Sequence, residues 1–233
     1  MRRLIVGGVI GAACFAGPGG ALASDQFAAS FELTYSRAVP AASAGLSMHV
    51  AWSDPGEPAG KPRAIKEIVL DFAPGTRFDT TALPYCRASD DLLRAKGPSA
   101  CPRASQVGTG ATMVNPGASP PFGTHVTFFN ARRQVIVVVK AGATVISVFR
   151  DLIRGSTITV RPIIPGGFAL TDLQVRWVAH GRRTRSGRKA YLRTPATCPA
   201  EGAWTTTATF TYVDGFTQQM TSATPCAASR AAA

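Results

Sequence analysis

Apolar and polar residues alternate along much of the chain. Phe31, Leu33 and Tyr35 occupy every second position, as do Leu46, Met48, Val50 and Trp52, and then Ile68, Leu70 and Phe72. Toward the C-terminus Trp204, Thr206, Ala208, Phe210 and Tyr212 alternate with Thr205, Thr207, Thr209 and Thr211. A period of two marks a half-buried strand, because successive side chains point to opposite faces of a sheet. Further β-rich runs are 126–129, 135–139, 144–149, 157–161 and 173–178. Turn residues separate the runs at Pro55-Gly56, Pro74-Gly75, Asn115-Pro116-Gly117, Pro165-Gly166-Gly167 and Asp214-Gly215. Many short strands with frequent turns predict an all-β chain. The expected architecture is an antiparallel β-sandwich with immunoglobulin-like or jelly-roll-like wiring. Residues 24–233 would form one such domain, and any internal boundary would fall near 116–121.

Two local features sharpen this picture. Asp214-Gly215 between Tyr212-Val213 and Phe216-Thr217 is a strong hairpin signal. A two-residue loop would pair Val213 with Phe216, so that partner numbers sum to 429 and Cys226 faces Ala203. Pro199–Gly202 must then bend back if Cys226 is to reach Cys198. The second feature is one short helix at 89–97, with Ser89 as cap, Asp90 and Asp91 in its first turn, Arg94 and Lys96 in its last, and Gly97 as its stop. Two turns are marginal alone, so external support is expected.

Residues 1–23 read as a secretory signal. Arg2 and Arg3 precede an uncharged apolar run, Leu4 to Gly17, and Ala21-Leu22-Ala23 supplies the small residues of a cleavage site. The run is too short for a membrane-spanning helix. A lipid anchor at Cys14 is the competing reading, weakened by Gly11 where a large aliphatic residue is wanted. Without Cys14, the remaining Cys86, Cys101, Cys198 and Cys226 form an even set for an oxidising compartment. Four cysteines allow three pairings, and proximity favours Cys86–Cys101 and Cys198–Cys226. A zinc site is disfavoured, since no C-x-x-C occurs and no histidine lies near any of the four.

The 233 residues carry 25 Lys+Arg against 13 Asp+Glu, and 45% are hydrophobic, which excludes a disordered chain. Arginines outnumber lysines 20 to 5. The densest positive stretch runs from His180 through Arg182, Arg183, Arg185, Arg188 and Lys189 without an acid. Glycines at Gly181 and Gly187 suggest a hairpin tip. Guanidinium groups pair bidentately with phosphate and carboxylate, so these five cations are the candidate ligand-binding residues for an anionic envelope polymer. Single-strand nucleic-acid readers interleave aromatics, and the loop has none, so nucleic acid is an unlikely partner.

Catalytic signals are poor. His49, His125 and His180 are scattered, and neither H-E-x-x-H nor a G-x-S-x-G, S-x-x-K or P-loop pattern occurs. Glu67 with Asp71, or Asp71 with Asp79, are candidate glycosidase carboxylates, but residues four apart on a strand lie about 13 Å apart, too far to cooperate unaided. No catalytic residue, metal ligand or cofactor is assigned. The chain is expected to be an exported, non-catalytic binding or structural module of the bacterial envelope. The alternative is a secreted hydrolase acting on carbohydrate, with a site assembled from distant residues.

Two blocks carry a resemblance. Cys101-Pro102 with Ser105, Val107, Gly108 and Gly110, and Cys198-Pro199 with Gly202, Trp204, Phe210, Tyr212, Asp214-Gly215 and Pro225-Cys226, resemble a group of exported bacterial proteins with no assigned activity. The likeness implies an extracytoplasmic β-rich fold and transfers no site residue.

Overall fold

The computed structural model describes residues 27–164, 167–179, 181–184 and 187–227. The expected signal, Cys14 and the cleavage site lie outside them. The strands are β1 (Ala28–Tyr35), β2 (Leu46–Ser53), β3 (Ile65–Asp71), β4 (Arg77–Phe78), β5 (Gln106–Asn115), β6 (Phe122–Ala131), β7 (Gln134–Ala141) and β8 (Thr144–Arg154), of which β4 and β5 lie outside the runs read from the alternation. They continue with β9 (Thr157–Val160), β10 (Ala169–Trp177), β11 (Gly181–Thr184), β12 (Gly187–Ala190), β13 (Leu192–Arg193), β14 (Ala203–Tyr212) and β15 (Thr217–Pro225). Helix α1 (Asp90–Lys96) is α-helical, with Ser89 Oγ accepting from the Leu92 amide and Gly97 closing it at φ 62°.

Mostly antiparallel β structure with one short helix is what the pattern demanded, but a division into two packed sheets is not seen. Eleven strands join one sheet in the order β1-β2-β10-β5-β6-β7-β8-β9-β3-β14-β15. Bulges in β10, β5, β8 and β3 let the sheet bend without breaking its ladder. The sheet curls until β15 lies beside β1. Because eleven strands alternate in direction, these two edges run parallel, and side-chain hydroxyls bridge them. The Leu33 amide donates to Ser222 Oγ (2.8 Å), and the Ser222 and Thr224 hydroxyls donate to the Leu33 carbonyl (3.1 and 2.9 Å). The result is a nearly closed barrel. Residues 116–121 join β5 to β6, which are neighbours in that sheet.

Two covers complete it. α1 and the Cys86–Cys101 disulfide pack outside β6, β7 and β8, where Leu93 meets Phe129, Ile136, Val138 and Val148. Arg150 fastens the helix by donating to Asp90 Oδ1 (2.7 Å) and the Ala88 carbonyl. Strand β7 is thus buried on both faces, which explains its unbroken run Val135–Val139. The segment following β3 crosses the barrel end near Tyr35 and Trp177, and β4 pairs there with β13. Asn130 anchors this segment by donating its amide to the carbonyls of Thr80, Leu83 and Pro84.

The Asp214-Gly215 hairpin forms, but its partners sum to 428: Ala203 faces Pro225 and Thr211 faces Thr217. Its loop has three residues, Val213–Gly215, with Gly215 at φ 87°. A turn ending in a left-handed glycine shifts the register by one against a two-residue loop. Cys226 consequently donates its amide to the Gly202 carbonyl, while Pro199–Gly202 turns back so that Cys198–Cys226 closes. Both disulfides pair as expected from proximity.

Candidate ligand-binding lumen

Inward residues of the barrel divide into two halves. Near the seam, aromatic rings fill the space: Tyr35 meets Trp204 edge-on at 5.8 Å, and Trp52 meets Phe210 at 5.7 Å. The half bounded by β5 to β9, with β2, β3 and β10 opposite, has aliphatic side chains instead and is not filled. A cavity of about 120 Å³ lies there. Val137, Val139, Leu70, Ile158, Leu170 and Leu173 are among its walls, and Val139, Phe149, Leu170 and Leu173 are only half-buried although they line the interior.

The two ends of the cavity differ. Pro162–Ile164 and Phe168 bound one end, where Ser147 Oγ donates to the Ile163 carbonyl (2.6 Å) and Phe168 stacks edge-on against Phe122. The other end is an aromatic floor in which Trp177 touches Phe128, Phe78 and Tyr191 at centroid distances of 5.8, 6.3 and 6.0 Å. Asp151 reaches the cavity from β8 at this level, opposite Val135.

Asp151 is unusual. It is 4% exposed, and its Oδ1 has no hydrogen-bond partner. Burial raises its carboxyl well above the usual carboxylate range, with no opposing cause. Its neighbour Arg150 points to the other face and is committed to Asp90, so it supplies no counter-charge. The Trp177 Nε1 and Tyr191 hydroxyl are also buried and unpartnered. Burial, and then the nearby Asp151, push the Tyr191 phenol up. Buried polar atoms are rarely left unbonded, because each costs about 1 to 3 kcal/mol. Three near one cavity floor mark the site more sharply than the cavity alone.

Sequence reasoning passed over Asp151. Alternation puts Ser147, Phe149 and Asp151 on one face of β8, yet the other face carries Val148 and Arg150, so hydrophobicity did not reveal which side faces the lumen. The cations singled out from sequence lie elsewhere. β11 and β12 form a separate two-stranded hairpin whose register sets Arg182 opposite Lys189 and Arg183 opposite Arg188. Arg185 and His180 fall outside the described residues. The Lys189 ammonium binds Asp79 Oδ2 (3.2 Å) and the Thr81 hydroxyl. Burial pushes Asp79 up, but Thr81 and Lys189 outweigh it and hold this carboxyl below its usual value.

The carboxylates considered for hydrolysis are occupied on the outer surface. Glu67 pairs with Arg161 at 2.5 Å, and Asp71 accepts from Thr157 Oγ1 at 2.7 Å. His49 lies outward as expected and pairs with Asp172 at 2.6 Å. Among the described residues no group of three His, Cys, Asp or Glu is placed to hold a metal ion. No helix among them is long and apolar enough to cross a membrane. The two disulfides fit an oxidising compartment. No family model matches the chain, and neither a curated protein nor a solved structure does so.

Proposed function

We propose that the protein is an exported, non-catalytic binding module of the bacterial envelope whose barrel lumen holds a small apolar ligand. The observation that carries this reading is the unfilled aliphatic half of the lumen. Protein interiors pack as densely as organic crystals, and voids much larger than a water molecule are few. An empty cavity costs about 24 cal/mol per Å³, so 120 Å³ corresponds to about 3 kcal/mol that a ligand would recover. An apolar cavity of about 150 Å³ accepts benzene, which sets the scale at a six-carbon ring or a short acyl segment. Among the described residues Asp151 is the one acidic side chain on the cavity wall, so they place no carboxylate pair for hydrolysis there.

Methyl-detected NMR with benzene tests the reading. Saturable shifts are expected at Leu70, Val137 and Ile158, and they should vanish in Val139→Phe, which fills the space. Shifts confined to exposed Leu92 and Met113, or none, would refute it.

A second reading has its own observation. The β11–β12 register sets Arg183 opposite Arg188, and like charges at directly opposite positions disfavour a strand pair. We propose that an anionic envelope polymer offsets this repulsion. Replacing Arg182, Arg183, Arg185 and Arg188 with Ala should weaken binding to such a polymer and flatten its salt dependence, because fewer counterions are released. Unchanged affinity would remove the hairpin from consideration.

A further inference from the structure

Given an apolar ligand in the lumen, the reading on which this rests, we infer that the ligand carries a neutral oxygen head, a hydroxyl or carbonyl, seated against Asp151, Trp177 and Tyr191. The cavity is not uniformly greasy. Pro162–Ile164 and Phe168 bound one end, and at the other the wall residues Asp151 and Trp177 each have a buried polar atom that no protein group satisfies, as does Tyr191 packed against Trp177. Asp151 and Trp177 both line the cavity. Tyr191 packs on Trp177 at 6.0 Å and lies within electrostatic reach of Asp151.

The donor inventory selects the head. An indole N–H can only donate, whereas a phenol and a protonated carboxyl can donate or accept. With Arg150 turned away to Asp90, no cation favours the charged form of Asp151, and burial favours the protonated carboxyl. The cavity wall therefore offers Asp151 and Trp177 as donors, with the Tyr191 hydroxyl behind Trp177. A carbonyl or hydroxyl oxygen accepts from them and needs no charge of its own. An ammonium head would set its N–H groups against the Trp177 N–H and would lose its hydration for one carboxylate. A carboxylate head would enter a pocket with no cation and carry an uncompensated charge into low dielectric.

The test compares six-carbon rings of nearly equal size, namely methylcyclohexane, cyclohexanone, cyclohexanol and cyclohexylammonium. Their affinities are measured by calorimetry or ligand-observed NMR on the oxidised protein, Asp151→Asn and Asp151→Leu. The quantity of interest is the ratio of methylcyclohexane to cyclohexanone dissociation constants, because comparing that ratio between proteins cancels the different water affinities of the two probes. Asn keeps a neutral donor and acceptor at the floor, so its ratio should stay close to that of the wild type. Leu removes both, and the ratio should fall about tenfold, the worth of one net hydrogen bond. The same direction is expected for cyclohexanol.

Equal ratios in all three proteins would overturn the assignment of the head while leaving the apolar lumen intact. Tightest binding by cyclohexylammonium, lost in Asp151→Asn, would overturn it in favour of an ion pair. Failure of every ring to bind, methylcyclohexane included, would overturn the lumen reading itself.

Discussion

Asp151→Asn is the most informative single perturbation for stability, because it removes a titrating proton with almost no change in volume. Burial raises the native carboxyl well above the usual carboxylate range, without a hydrogen bond to Oδ1 or a cation to favour its charged form. In the unfolded chain it should titrate near the ordinary aspartate value of about 3.9. Below that value both states hold the proton, and the native form keeps its full stability. As the pH rises the unfolded state ionises first, and stability falls by about 1.4 kcal/mol per pH unit until the native carboxyl also ionises. The loss is therefore expected from about pH 4 upward and levels off only above the raised native value. Asp79 and Asp214 have the opposite sign. Each is lowered in the native state, Asp214 by the Phe216 amide and Arg63, so each favours the native state as the pH rises. Both are present in wild type and variant, and the difference between the two proteins isolates Asp151.

Guanidinium denaturation with the disulfides intact, at pH 4, 5, 6 and 7, gives that difference directly. Asp151→Asn should gain on the wild type as the pH rises from 4, with a midpoint difference that grows until the native carboxyl also ionises. A difference that stays constant from pH 4 to pH 7 would refute the reasoning, since Asp151 would then ionise in the native lumen as readily as in water.

Two further outcomes follow from the frame. Replacing Ser222 with Ala and Thr224 with Val removes the hydroxyls that bridge the parallel edges and leaves the buried Leu33 amide and carbonyl unpaired, which should cost about 2 to 5 kcal/mol and speed hydrogen exchange at the Leu33 amide; unchanged exchange would show that other contacts hold the seam. Replacing Cys86 and Cys101 with Ala opens a loop of 15 residues and should lower stability by about 3 kcal/mol, read as a fall in thermal midpoint, with α1 losing protection before β7; a midpoint equal to that of the oxidised protein would mean that Leu93 and the Arg150–Asp90 contact hold the cover unaided.

Much of the frame was legible locally. The period of two in Phe31–Tyr35, Leu46–Trp52 and Trp204–Tyr212 marks strands because the backbone pleat alternates its side chains regardless of what packs on them. Ser89 and Gly97 bound the helix through groups only a few residues away. Cys86–Cys101 and Cys198–Cys226 follow from short loops within an even set of four thiols. The register of the last hairpin was misjudged by one residue, since Asp214-Gly215 fits either a two-residue turn or a three-residue turn ending in glycine, and its neighbours do not decide between them.

What the sequence by itself determined is where most of the strands lie, though not Gln106–Asn115, where they turn and which cysteines are close enough to join. Only the tertiary structure decided that eleven of those strands curl into one barrel, with β10 returning to insert between β2 and β5. The same folding carried Asp151 inward while Arg150 turned out to Asp90, and left an aliphatic space beside Trp177 and Tyr191. The physical reason is range. Pleat, caps and turns are set by neighbours along the chain, whereas a lumen is set by pairings between strands more than a hundred residues apart, such as His49 with Gln174 or Leu70 with Ala208.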